Sequence, residues 1–120
     1  MLSTESAAPL LSAIIGNLVA DYLLQNEWMA INKKRSTAVC TLHCVIWTSC
    51  VLLFSGWPLW TAAPLFVSHF AQDRTQIIAW YMDLIGQRSF RTGPFSPWSA
   101  VFVDNVFHLW TLWLIAVVLG

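Results

Sequence analysis

Apolar residues fill four long stretches of the chain, and polar residues gather between them. The stretches run from about Pro9 to Gln25, Thr37 to Phe54, Trp57 to Trp80 and Ser99 to Leu119. Each approaches the ~20 residues a helix needs to cross the hydrocarbon core of a bilayer. Pro9, "SGWP" and "TGPFSP" punctuate the starts and separations. The pattern predicts an all-α polytopic membrane protein, a single domain over 1–120 with four transmembrane helices in an antiparallel bundle. The third stretch is the irregular one. It is plainly apolar only to Phe70 and then turns amphipathic through "AQDRTQIIAWYMDLIG". Helix continued from Pro58 to Ile85 would be about 42 Å long. Such a helix must tilt, project or bend near Asp73. The expectation is a long helix whose last turns leave the membrane, with Arg74 reaching up to the headgroups.

Composition strengthens the membrane reading. Hydrophobic residues make up 58% of the 120 positions and charged ones only 10%, against about 25% charged in a soluble domain. Mean hydropathy is +0.63. The eight Trp suit a chain that meets the boundary between acyl tails and headgroups. Trp57, Trp60 and Trp98 fall at span ends as interfacial anchors, with Trp28 and Trp80 on the other side. Trp47, Trp110 and Trp113 lie inside spans as packing or lipid-facing bulk. A formal net charge of zero gives no grounds for nucleic-acid binding. The opening "MLSTESAAPLL" lacks a basic n-region and carries Glu5, so it reads as a short tail leading into a retained helix. Cys40, Cys44 and Cys50 share one apolar segment and suggest no disulfide framework. "CTLHC" lacks the order of the CxxCH haem motif, which leaves small buried packers.

Basic residues set the direction. Lys33, Lys34 and Arg35 lie between the first two spans, and Arg88 and Arg91 between the last two. The positive-inside rule then places both basic loops in the cytoplasm and both termini outside, in an inner-membrane protein.

The strongly polar residues inside the spans carry the chemistry. They are Asn17, Asp21 and Gln25; His43; His69 and Asp73; Asp104 and His108. Spacing of four puts Asn17–Asp21–Gln25, His69–Asp73 and Asp104–His108 each on one helix face. Counted from the basic loops, the four groups reach a similar depth in the cytoplasmic half. A charged Asp near the middle of a membrane helix costs about 2.5–3.5 kcal/mol on insertion scales. Asp21, Asp73 and Asp104 must therefore face inward, toward His43, His69, His108, Asn17, Gln25 or a cation. Imidazole and carboxylate at i, i+4 is a natural way for one helix to offer two ligands. Mixed N/O ligation suits Zn, Mn or Fe better than Ca or Mg. Asp21, His43, His69, Asp73, Asp104 and His108 are the candidate ligands, with Asn17, Gln25 and Asn105 as a supporting polar shell. The competing reading needs no cofactor: a hydrogen-bonded polar core that fixes helix packing.

"DYLLQNEWMAINK", "LH" in the second span, "HFAQDR" and "DNVFH" in this order resemble domain-of-unknown-function family 3307, small polytopic membrane proteins of bacteria and their phages. The family pattern runs His-x3-Asp-Phe-x-x-Gln-x-x-Trp-x-x-x-x-Lys, a His in span two, His-x3-Asp-Arg in span three and Asp-Gln-x-x-His in span four. Asp21, Gln25, Trp28, Lys33, His43, His69, Asp73, Arg74, Asp104 and His108 match it. Asn17 replaces its first His, and Asn105 its span-four Gln. The resemblance implies a fold and a site but no reaction.

Three functions remain open, and with them whether the chain is an enzyme. One is a membrane-embedded metal site of hydrolase type, acting on a lipid-linked or phosphorylated substrate from the cytoplasmic leaflet. The second is a structural or accessory subunit of a larger membrane complex, or a phage protein acting on the host membrane. The third is a proton or ion transporter, against which stand the apolar outer halves of the spans. The bilayer is the expected partner, alongside other membrane subunits or a second copy of the chain.

Overall fold

A computed structural model describes residues 2–120, and all regular structure within them is helical. Helix α1 covers Thr4–Leu18 and continues as a π-helical segment, Val19–Leu24. A short α2, Glu27–Asn32, precedes α3, Thr37–Ser55. A 3-10 turn, Leu59–Thr61, leads into α4, Ala62–Arg74. Then come α5, Ile77–Leu84, α6, Arg88–Thr92, and the long α7, Trp98–Leu119.

Three of these helices, Thr4–Leu24, Thr37–Ser55 and Trp98–Leu119, are long and apolar enough to cross a membrane. Their outward faces are apolar too. Leu11, Leu23, Leu53, Phe102 and Val118 are all well exposed, as befits helices whose solvent is lipid. The first helix begins at Thr4 and not at Pro9. Ser3 explains the difference: its hydroxyl caps the helix by accepting from the Ser6 amide at 3.2 Å, and Glu5 favours the positive N-terminal end.

The third stretch departs most from expectation. No continuous helix runs from Pro58 to Ile85, because the chain goes extended at Thr75 (φ −103°, ψ 172°). The break falls two residues past Asp73, where a bend was one of the options. Lys34 holds it: its ammonium donates to the carbonyls of Gln72, Asp73 and Thr75 at 3.5, 3.1 and 3.2 Å. These are acceptors that the end of a helix leaves without partners, and a cation suits that end. Arg74 turns back to donate to the Lys34 carbonyl at 2.6 Å and to Thr37 Oγ1 at 3.3 Å. It locks this corner where a headgroup contact was expected.

Small residues let the first and third helices touch. Ala13, Gly16 and Ala20 are buried along one face of the first. A Cβ on Gly16 would stand 2.9 Å from the Cys50 carbonyl oxygen and 3.1 Å from Val51 Cα. Glycine there lets backbone meet backbone, as at many helix contacts in membranes. Leu10, Val51, Leu65, Leu112 and Ile115 join Ala13 and Ala20 in the apolar core. Trp47 forms its lower edge, and beneath it the interior becomes polar.

Candidate metal centre

Six ionisable side chains from four elements meet below Trp47. Asp21 comes from the π-helical segment, a widened turn often found at functional sites. His43 comes from α3, His69 and Asp73 from α4, and Asp104 and His108 from α7. All the candidate ligands named from the sequence are thus brought together. Both i, i+4 pairs close: His69 Nε2 lies 3.0 Å from Asp73 Oδ2, and His108 Nε2 lies 3.2 Å from Asp104 Oδ2. Across helices, His43 Nε2 stands 3.0 Å from Asp73 Oδ2, 3.2 Å from Asp21 Oδ1 and 3.0 Å from His69 Nε2. The three imidazoles and Asp73 are essentially inaccessible, Asp21 is 12% exposed, and Asp104 25%.

Two sets of side chains place ligand atoms close enough to share an ion: Asp21, His43, His69 and Asp73, and then Asp73, Asp104 and His108. Atoms bound at about 2.0–2.2 Å to one ion stand about 3.0–3.5 Å from each other. The nitrogen–oxygen spacings here run from 3.0 to 3.7 Å, and each set closes within 4.8 Å. The buried His/Asp cluster could therefore hold a metal ion.

The shell around it is ordered. Trp47 Nε1 donates to Asn17 Oδ1 at 2.8 Å, and Asn17 Nδ2 donates to Asn105 Oδ1 at 3.3 Å. The Trp47 ring stacks on His69 with centroids 3.9 Å apart and planes 12° from parallel. Trp47 is thus packing, as its place in the span suggested, but packing that sets the plane of one imidazole. Trp47→Phe keeps the stack and leaves the buried Asn17 carbonyl without its donor. The variant should lose about 1–3 kcal/mol of stability, read as a lower Tm in detergent. An unchanged Tm would show that the bond carries no weight. Gln25 behaves differently from Asn17. The helix ends at Leu24, Gln25 is extended (φ −81°, ψ 115°), and its side chain lines a cleft above the acids.

Lys33 and Gln72 were not among the residues singled out as ligands or shell. Lys33 read as a topology signal in a basic triplet, yet its Nζ donates to Asp73 Oδ2 at 2.9 Å. Burial pulls its ammonium down, and the Asp73 carboxylate, with Asp21 and Asp104 behind it, more than compensates, holding it above its ordinary value. The group stays charged through neutral pH and would lose this partnership only as pH rises through the alkaline range. Gln72 bridges to α7: its Oε1 meets His108 Nδ1, and its Nε2 donates to Thr111 Oγ1 at 3.3 Å. Its one advance signal is position, next to Asp73 and three residues after His69.

Above the cluster opens a cleft of about 370 Å³. Asp21, Asp73 and Asp104 line its base, Lys33, Lys34 and Arg91 its rim. Arg91 is held by Asp83 through two bonds of 2.9 and 2.7 Å, which keep that carboxyl below its usual range.

The family described as protein of unknown function (DUF3307) matches residues 10–120. The chain belongs to that family. Membership covers every residue of the cluster and the resemblance noted from the motifs, while assigning DUF3307 proteins no reaction. No curated protein and no solved structure matches the chain.

Proposed function

We propose that this DUF3307 protein is an integral inner-membrane protein with a divalent-metal centre of hydrolase type. In this reading the first helix, α3, α4 and α7 form an antiparallel four-helix bundle as one domain, with the basic loops cytoplasmic and both termini outside. The bilayer is its partner, and its substrate approaches from the cytoplasmic leaflet.

One observation carries the metal: the way the two ring nitrogens of His108 are placed. Thr111 Oγ1 donates to the Phe107 carbonyl at 3.0 Å, so it must accept from the Gln72 amide. That orients Gln72 Oε1 toward His108 Nδ1, which donates to it. In the neutral ring Nε2 is then a bare lone pair. It faces Asp104 Oδ2 at 3.2 Å, Asp21 Oδ2 at 3.6 Å and Asp73 Oδ1 at 3.6 Å, and it has no hydrogen-bond partner. A ring nitrogen set against three carboxylate oxygens asks for a cation among them, a proton or a metal ion, and the spacing of three acids around it suits the ion. Charge supports the same conclusion. Three carboxylates and the Lys33 ammonium leave two negative charges when the imidazoles are neutral, which one divalent ion offsets as two imidazolium protons would. A purely structural polar core would instead satisfy its own atoms, and Asp73 Oδ1 and Asp104 Oδ1 are buried without a hydrogen bond among the described residues.

A bound divalent ion would supply an acidified water as nucleophile. Asp104 is the most exposed acid at the base of the cleft and is placed to accept the proton. Of the cations on the rim, Lys34 bonds only backbone carbonyls and keeps its charge unmatched by a carboxylate, which suits an anionic group such as a phosphate ester. Tyr22, Ile78 and Val101 add an apolar wall that suits a lipid-linked substrate. Transport is the weaker reading, since the apolar core from Leu10 to Leu112 closes the outer half.

Metal analysis of the purified protein tests this, with His69→Ala and Asp104→Asn alongside. The expected result is at least one transition-metal ion per chain, reduced in both variants, with metal-dependent hydrolysis of a chromogenic phosphate ester. Metal-free wild-type protein, with variants that are merely less stable, would overturn it in favour of a structural core.

A further inference from the structure

Each of two acids in this cluster presents its two oxygens to different sets of nitrogens. Asp73 Oδ2 lies 3.0 Å from both His43 Nε2 and His69 Nε2, while Oδ1 lies 3.6 Å from His108 Nε2. Asp21 repeats the arrangement. Its Oδ1 is 3.2 Å from His43 Nε2 and 3.7 Å from His69 Nε2, and its Oδ2 is 3.6 Å from His108 Nε2. The remaining acid, Asp104, adds Oδ2 on the His108 side alone.

From this we infer that the centre holds two divalent ions bridged by the carboxylate of Asp73, with Asp21 alongside it. One subsite is His43, His69 and one oxygen each from Asp21 and Asp73. The other is His108, Asp104 and Asp73 Oδ1, with Asp21 Oδ2 at its edge, 3.6 Å from His108 Nε2. The first offers four ligand atoms, the number a tetrahedral ion takes, and the second three, the protein share of an open site that keeps a position for water. Bridging carboxylates are what hold ions about 3.5–4 Å apart in two-metal hydrolytic sites, where both ions clamp the reacting oxygens. The second subsite also rests on an unpartnered atom. Asp73 Oδ1, on a residue about 1% exposed, has no hydrogen bond and faces His108 Nε2 across 3.6 Å.

The subsites differ in kind. The His43–His69 subsite has two nitrogens, lies against Trp47 and is the more enclosed. The His108–Asp104 subsite is richer in oxygen and reaches the cleft through Asp104. The first should therefore bind the tighter and more zinc-like ion, and the second a more exchangeable one that tolerates Mn. Two ions give the base of the cleft a surplus of positive charge, which a hydroxide and an anionic substrate would balance.

This inference rests on the metal-centre reading above, and the test separates the two. Detergent-solubilised full-length protein, stripped and titrated with Mn(II), is followed by equilibrium binding and by electron paramagnetic resonance. Two ions per chain with an exchange-coupled signal are expected. Asp104→Asn and His108→Ala should each retain one tight ion and lose the coupling. One uncoupled ion per chain in the wild type would overturn the pair while leaving a mononuclear hydrolase-type centre. No ion at all would overturn both. The wild-type titration needs no variant to fold, so the result stands even where a substitution disrupts the protein.

Discussion

Asp73→Asn should empty the centre and be among the most destabilising single substitutions in the chain. Asp73 is about 1% exposed and stands within 3.0 Å of Lys33, His43 and His69. An amide keeps the shape but loses the charge, so the Lys33 ammonium, only 14% exposed, is left without its anion. Breaking a buried ion pair from one side costs about 3–5 kcal/mol. The same change removes the acid common to both ligand sets. Altering even a group behind a metal ligand weakens binding about 10–100-fold, so losing this ligand should weaken it by more. Thermal unfolding and metal content of the variant check both effects. Asp83→Asn is the control, because the Asp83–Arg91 pair is at the surface, and metal content should not change there. Full metal content and a wild-type Tm in Asp73→Asn would contradict the arrangement described for Asp73.

Gly16→Val should have a comparably large effect, although Gly16 touches no ligand. The new Cβ would meet backbone atoms of Cys50 and Val51 at 2.9 and 3.1 Å, and backbone cannot rotate aside as a side chain can. The first helix and α3 must part. Overpacking of this kind costs about 1–3 kcal/mol, occasionally more. The separation also pulls Asp21 from His43, now 3.2 Å away. The variant should therefore lose both thermal stability and metal affinity. A stability loss with metal affinity intact would mean that the lower part of the two helices is anchored independently of Gly16.

Much of the cluster was legible because helices translate spacing into position. His69 with Asp73, and Asp104 with His108, could be paired from the sequence by their spacing of four. His43 and Asp21 followed from the price of a polar group in lipid. What sequence could not supply was the choice among equivalents. Lys33, Lys34 and Arg35 look alike in the chain, yet Lys33 pairs with Asp73 and Lys34 closes the end of α4. The break at Thr75 was hidden for the same reason. It depends on that Lys34 ammonium, which comes from the other side of the fold, and nothing within "DRTQ" demands it. Gln25 follows the end of the helix by one residue, yet it lines the cleft beside Asp21 and donates to the Asp21 carbonyl at 3.4 Å.

In the four-span arrangement proposed above, the break at Thr75 has a consequence for the surrounding lipid. As a helix of 13 residues, α4 rises only about 20 Å, some 10 Å short of the hydrocarbon thickness of a bilayer. Lipid meets such a deficit by thinning locally, and flanking side chains help by reaching for the interface. On this side of the protein the headgroups and their water would sit deeper than elsewhere. Asp73 occupies the last turn of that shortened helix. A centre built from residues of the membrane interior would then be wetted, and open to polar reactants, without a pore having to be cut to it.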